Sequence, residues 1–273
     1  MTIEINLVPQ ILIGVGLAVA VSLAAWKAGA LAVSGAWSAA LMGSVVFGLG
    51  GLPWAVALLT FFFTSSGLSR LFKRRKRVVN EKYAKSSRRD WAQVFANGGV
   101  AMLLIGPHLL NPQADWPWLA FAGALAAANA DTWATELGIL SPRPPRLITS
   151  WRPVSKGTSG GVSLVGTLAS AAGAALVGLA AWLFSPGASG WLLAVVTLAG
   201  LAGSLVDSVL GATVQAIYYD PLRKKETEKV VLTEDGTQAT PMRGQAWINN
   251  DVVNFTATVI GGLTAAGLWA LVH

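Results

Sequence analysis

Eight apolar stretches of membrane-spanning length divide this chain and leave little room for any other fold. They cover residues 7–25, 29–50, 52–72, 91–110, 116–140, 162–184, 191–217 and 247–272. A helix needs about 20 mostly apolar residues to cross a bilayer. Short charged segments lie between them, so only 12% of the 273 residues are charged, against about 25% in soluble domains. The pattern predicts an all-α, polytopic bundle of about eight transmembrane helices, forming a single integral-membrane domain over residues 1–273. Glu4, and no basic run, precedes the first stretch. That stretch therefore reads as a retained helix rather than a cleaved signal peptide.

The basic residues test the helix count. If the loop after the third stretch is cytosolic, so are the connections near Lys27 and at 70–90, 141–161 and 218–246. These hold one, ten, four and five Lys and Arg, which is all 20 in the chain. A wrong count would scatter them across both faces. The expectation is that both termini lie on the non-cytosolic side, in the plasma membrane of a prokaryote. The net charge of +7 then belongs to cytosolic loops facing membrane lipids, and nucleic acid is not an expected partner. A homo-oligomer is compatible with this pattern.

Four carboxylates interrupt the apolar stretches: Asp131, Glu136, Asp207 and Asp251. A charge at membrane depth is costly unless paired or metal-bound, so its presence points to function. All four fall in the predicted cytosolic half of their helices, as does Asn97. Asp131 and Thr135, Thr132 and Glu136, and Asn250 and Asn254 are spaced to share helix faces. Gly200, Gly203, Asp207 and Gly211 form a small-residue stripe suited to close helix packing. Carboxylates with amides are hard oxygen donors, fit for Mg²⁺ together with substrate phosphates. The chain has no cysteine, which excludes thiolate sites and disulfides. Its two histidines, His108 and His273, fall on the opposite face. Taken singly, each polar group could serve helix packing; Thr132, Thr135, Ser208 and Asn254 fit that role best.

Two loops add cations. Lys156-Gly157-Thr158-Ser159-Gly160-Gly161 runs into the sixth stretch. It offers flexible backbone N–H groups, hydroxyls and a cation at a helix start, a combination suited to phosphate. The run Lys73-Arg74-Arg75-Lys76-Arg77 reads as an anchor on anionic lipid. The run Lys85-Ser86-Ser87-Arg88-Arg89-Asp90 precedes the polar start of the fourth stretch, at Gln93 and Asn97, and its basic residues can hold a phosphate. The acidic segment 226–235 reads as a solvated excursion. Tryptophans near segment ends fit interfacial belts.

In this order, five segments carry a family resemblance: Arg88-Arg89-Asp90 through Asn97-Gly98; Ala130-Asp131-Thr132-Trp133-Ala134-Thr135-Glu136; Lys156 through Gly161; Gly203 through Gly211 around Asp207; and Asn249-Asn250-Asp251-Val252-Val253-Asn254. The chain resembles the integral-membrane family of phytyl-phosphate kinases of the tocopherol pathway. It is more distantly similar to the dolichol and phytol kinases. The resemblance implies phosphoryl transfer from a nucleoside triphosphate, with CTP the preferred donor, to an isoprenyl monophosphate. It implies Asp131, Asp207 and Asp251 as ligands of Mg²⁺–nucleotide. Glu136 would be a further ligand or an orienting partner. Lys156 and residues 157–161 would cradle phosphate with Arg88 or Arg89, and Asn97, Asn250 and Asn254 would orient oxygens. Where family members carry Arg before the glycine, this chain has Lys156, which keeps the charge but not the bidentate geometry. The alternatives are a cytidylyltransferase-like enzyme on a lipid phosphate, a membrane transporter, or a lipid-phosphate binder without activity.

Overall fold

The computed structural model describes residues 7–72, 84–85, 88–185, 188–232 and 236–272. Lys73 through Arg77, with Glu4, Glu234, Asp235 and His273, lie outside the described residues. The helices are α1 (Leu7–Lys27), α2 (Val33–Val45, prolonged by a π-helical turn over Val46–Gly50), α3 (Leu52–Leu71), α4 (Trp91–Leu103) and α5 (Ile105–Leu110). There follow α6 (Trp116–Gly138), α7 (Leu164–Leu183), α8 (Trp191–Thr213) and α9 (Asn250–Val272). α4 and α5 together make one span, Trp91–Leu110. The eight predicted stretches are therefore all helical.

Seven of the spans are long and apolar enough to cross a membrane. The eighth, α6, has 23 residues, a length of about 34 Å. Its polar run from Asn129 to Glu136 lowers its hydropathy. It can carry those groups because it is the central helix: α3, α4, α7, α8 and α9 all pack on it. Every residue over 119–130 is buried. Alanine and glycine bring the neighbouring backbones close. A Cβ on Gly203 of α8 would lie 2.5 Å from the Ala127 side chain of α6 and 2.8 Å from the Ala257 carbonyl of α9. α1, in contrast, packs on α2 and its π turn and exposes Leu12, Ile13 and Leu17, as a lipid-facing helix does.

The two ends of the bundle differ. At one, Trp54 packs on His108, Trp118 and Phe121, with ring centroids 4.7, 5.0 and 4.6 Å away. Trp54 is thus a buried core residue rather than a belt residue. Phe121, Leu125, Val177 and Val196 continue an apolar core inward. At the other end lie every described Lys and Arg and all five strands. β1 (Arg146–Leu147) pairs antiparallel with β2 (Gly161–Val162). β3 (Ile217–Asp220) is the centre of an antiparallel sheet, with β4 (Lys225–Thr227) on one side and β5 (Thr240–Arg243) on the other. Leu7 and Val272 close α1 and α9 at the opposite end.

Two boundaries depart from expectation for local reasons. The seventh stretch was expected to be helical through Ile217. Instead α8 stops at Thr213, where the amides of Val214 and Gln215 both return to the Leu210 carbonyl, and Ile217 opens β3. The acidic segment is also more than a solvated excursion: Glu226 pairs with Tyr219 within the sheet, and Glu228 turns inward.

Small residues at the α6–α8–α9 crossing set the helix spacing. Gly203→Leu is expected to cost about 1–3 kcal/mol through overpacking, read as a lower thermal midpoint in detergent. Gly16→Leu on α1, with no atom within 4 Å of its Cβ position, should leave the midpoint unchanged.

Candidate functional site

The polar residues reach one place because helix ends meet there. Asp90 begins α4 with a capping box: the Gln93 amide donates to Asp90 Oδ1 at 2.9 Å and the Asp90 amide to Gln93 Oε1 at 3.2 Å. This fixes the turn that presents Gln93 and Asn97. Asn249 starts α9, its Oδ1 accepting from the Val252 amide at 3.1 Å, and sets the phase of Asn250, Asp251 and Asn254. Ser163 caps α7 by accepting from Gly166 N at 3.1 Å, directly after the glycine-rich loop. α6 contributes Asp131 and Glu136, and α8 contributes Asp207.

Together these elements enclose a cavity of about 550 Å³. Asp131, Glu136, Asp207, Asp251, Arg89, Asn97, Lys156, residues 157–161, Asn250 and Asn254 all line it. Arg88 does not. It lines a smaller neighbouring chamber. Of the two spaces, Arg89 lines both and Arg88 the smaller. The register is fixed where Arg89 N donates to Ala30 O at 3.0 Å and Ala32 N to Arg89 O at 2.9 Å.

The glycine-rich loop is bent by Gly157 and Gly160, at φ +78° and +81°, a region that favours glycine. A Cβ at Gly160 would strike Ala212 at the end of α8. Lys156 reaches back to the carbonyls of Ile139 and Ser141, at 2.8 and 2.7 Å. Its ammonium thus ties the loop to the end of the helix bearing Asp131 and Glu136, an anchoring role beyond the expected phosphate contact. Arg243 of β5 donates to Ala212 O and, at 3.2 Å, to Ser159 O, so the sheet holds the loop from the other side.

A side-chain relay crosses the cavity wall. Ser159 Oγ donates to Gln215 Oε1 at 2.6 Å, and Gln215 Nε2 donates to Glu228 Oε1 at 3.0 Å. Glu228 Oε2 accepts from the Ala84 amide at 3.3 Å. Next to it, Lys85 pairs with Asp90 at 2.8 Å and with Asp251. Burial works against its charge, but the bonds and negative charges of Asp251 and Asp90 outweigh that and hold its pKa above the ordinary lysine value. Burial pushes the Glu228 carboxyl up, and the charge of Asp251 adds to this against the bonds from Ala84 and Gln215. On α6, Glu136 Oε1 accepts from Ser69 of α3 at 2.7 Å.

The buried carboxylate oxygens with no hydrogen-bond partner among the described residues include Asp207 Oδ2 and Asp251 Oδ1, both on side chains that line the cavity, and Glu226 Oε2 of β4, whose side chain does not. Such orphaned anionic oxygens suit a hard cation. No group of three or more acidic or imidazole side chains among the described residues is gathered closely enough to hold a metal alone. Asp131, Asp207 and Asp251 are therefore not a preformed three-carboxylate cage. The donor set suits Mg²⁺ that brings its own phosphate oxygens and waters.

The profile of the integral membrane protein family DUF92 matches residues 16–262. The chain belongs to that family. This DUF92 protein is similar to Protein PGR of Arabidopsis thaliana, with 34% identity over 258 residues, covering 86% of this chain and 88% of the plant protein. An uncharacterized membrane protein of Methanocaldococcus jannaschii is 29% identical over 84% of this chain and 82% of its own. One of Synechocystis is 27% identical over 84% and 79%. No solved structure matches.

Gln215 and Glu228 complete the cavity wall of this DUF92 protein without having been singled out from sequence as site residues, Lys85 of the basic run before α4 joins them there, and Arg243 supports the glycine-rich loop from outside the wall. Glu228 has a testable signature. A carboxyl whose folded pKa is raised contributes stability that is full below its unfolded value of 4.5 and lost as pH rises through the folded pKa. Glu228→Gln should flatten this part of the pH dependence. Relative to the variant, the wild-type thermal midpoint should fall as pH is raised from 4.5 toward neutrality.

Proposed function

We propose that the protein is a lipid-phosphate kinase, transferring a phosphoryl group from a nucleoside triphosphate to an isoprenyl monophosphate. The observation that carries this reading is one cavity joining the glycine-rich loop at 156–161 to carboxylates from three different helices at the polar end of the bundle. Phosphoryl transfer asks little covalent chemistry of a protein; it needs positioned phosphates and compensated charge. The acceptor is itself a phosphate and nucleophilic at neutral pH, so no strong base is required. The resemblance to phytyl-phosphate kinases points the same way, with CTP the preferred donor.

In this reading Mg²⁺ would be held by Asp131, Asp207 and Asp251, with Asn97, Asn250 and Asn254 turned to the same oxygens, and it would offset the charge of the transferring phosphates. The loop at 157–161 supplies backbone N–H groups to the nucleotide phosphates. Lys156 keeps that loop against α6, and Ser69 orients Glu136. Lys85 has its ammonium beside Asp251 in the same cavity wall. By the distribution of Lys and Arg, the cavity faces the cytosol, where soluble nucleotide meets a lipid headgroup. A transporter needs a polar route through the bundle, whereas the core beyond Asn129 is the apolar set Phe121, Leu125 and Trp54.

Purified protein with Mg²⁺, each NTP and a panel of isoprenyl monophosphates, read by mass spectrometry, should yield lipid diphosphate and NDP. Release of pyrophosphate instead would identify a cytidylyltransferase. Asp131→Asn should abolish transfer while leaving the thermal midpoint in detergent near that of wild type. Retained turnover in that variant would remove Asp131 from the metal-binding set.

A further inference from the structure

Beside the main cavity lies a second chamber of about 350 Å³. Its walls are the α1–α2 turn at 28–30, the end of α3 with Ser66, Ser69 and Arg70, and the side chains of Arg88 and Arg89. The two chambers share a partition, because Ser69 and Arg89 line both. Their chemistry differs. The large cavity is rich in carboxylates. Among the described residues the small one is lined by three guanidinium groups and two hydroxyls, with no acidic residue.

The arginines are held by the fold. Arg70 donates to Ala28 O, which draws the ends of α1 and α3 together. Arg89 is paired through its backbone to the α1–α2 turn, and its guanidinium lies 5.3 Å from the Phe61 ring centroid. Burial lowers its pKa to about 10, which leaves it cationic at neutral pH. Outside this chamber the two helices offer apolar surface. Leu23 and Trp26 of α1 and Phe63 and Leu71 of α3 are exposed, and the space beside Gly67 is open. α1 packs mainly on α2 and α3 mainly on α6 and α7, so this surface is left to lipid.

We propose that the small chamber holds the phosphate of the acceptor lipid, with its hydrocarbon chain lying against α1 and α3, while the nucleotide occupies the large cavity. This rests on the kinase reading and assigns the two substrates to separate rooms. The division follows from charge. A nucleotide that arrives with a divalent cation needs carboxylates. A lipid monophosphate without its own cation needs a purely cationic seat, where guanidinium groups match its oxygens. Transfer takes place across the partition at Ser69 and Arg89. An oxygen of the lipid phosphate bonds to the γ-phosphorus as the bridging oxygen–γ-phosphorus bond breaks, and its electron pair leaves with the nucleoside diphosphate. A monophosphate dianion and a nucleotide tetra-anion become a lipid diphosphate trianion and a diphosphate trianion, so no proton need be taken up or released.

The test uses the full chain in nanodiscs with phytyl monophosphate, CTP and Mg²⁺. Arg70→Gln and Arg88→Gln should each raise KM for phytyl monophosphate about tenfold and leave KM for CTP essentially unchanged. Arg70→Lys should recover part of the loss, which separates lost charge from misfolding. A second measurement needs no turnover: nucleotide-free retention of phytyl monophosphate by native mass spectrometry should fall in the Arg70→Gln/Arg88→Gln protein. If no NTP is consumed yet this arginine-dependent retention persists, the kinase reading falls and the lipid-phosphate chamber stands. If the variants raise KM for CTP instead, or retain the lipid as wild type does, the chamber assignment is overturned. Equal retention of inorganic phosphate by wild type at the same concentration would make this a free-phosphate site and overturn the lipid assignment.

Discussion

A carboxylate can lie at membrane depth only where protein, not hydrocarbon, surrounds it. In this bundle that condition is met around one helix. α6 is enclosed by α3, α4, α7, α8 and α9, and it bears two of the four intramembrane acids. Its alanines are what allow the enclosure. A run such as Ala126-Ala127-Ala128 lets neighbouring backbones approach, and the glycines at 200, 203 and 261 answer it from α8 and α9. The close crossing then brings the polar ends of those helices together, and the cavity is the space left between them. Fold and site are thus consequences of one packing arrangement. The apolar helices on the outside shield a core helix that would be poorly suited to lipid by itself.

How much of this could be read in the sequence depends on the kind of signal involved. Span number and the clustering of Lys and Arg were legible because hydropathy and charge are properties of local stretches. Asp131, Glu136, Asp207 and Asp251 were legible because an acid in an apolar run stands out at any register. Glu228 was not. Its carboxylate is held by Gln215 and by the amide of Ala84, 144 residues away in sequence, and nothing local marks either partner. Gln215 looked like the tail of a helix because nothing local marks where α8 unwinds. Arg88 and Arg89 look equivalent on paper. Arg89 reaches both chambers and Arg88 the smaller one, an arrangement held by the α1–α2 turn, more than fifty residues earlier in sequence, which pairs with the Arg89 backbone.

The cavity wall is also notable for where its cations are spent. Lys156 is held by two carbonyls and Arg243 by two more. These charges fasten the glycine-rich loop to α6 and α8, where they satisfy helix C-terminal carbonyls that would otherwise lack partners. Rigidity of the loop would favour the proposed phosphate binding indirectly: backbone N–H groups that are already arranged lose less freedom when a ligand arrives.

The ion pair between Lys85 and Asp251 has a consequence for how the molecule is made. Asp251 sits on the last helix, so a ribosome-bound chain inserts α6 and α8, with Asp131 and Asp207, before their final neighbour exists. Arrival of α9 closes the wall and delivers the carboxylate that Lys85 has been waiting for. The part of the cavity wall formed by Asn250, Asp251 and Asn254 is thus completed only when α9 packs on α4, α6 and α8.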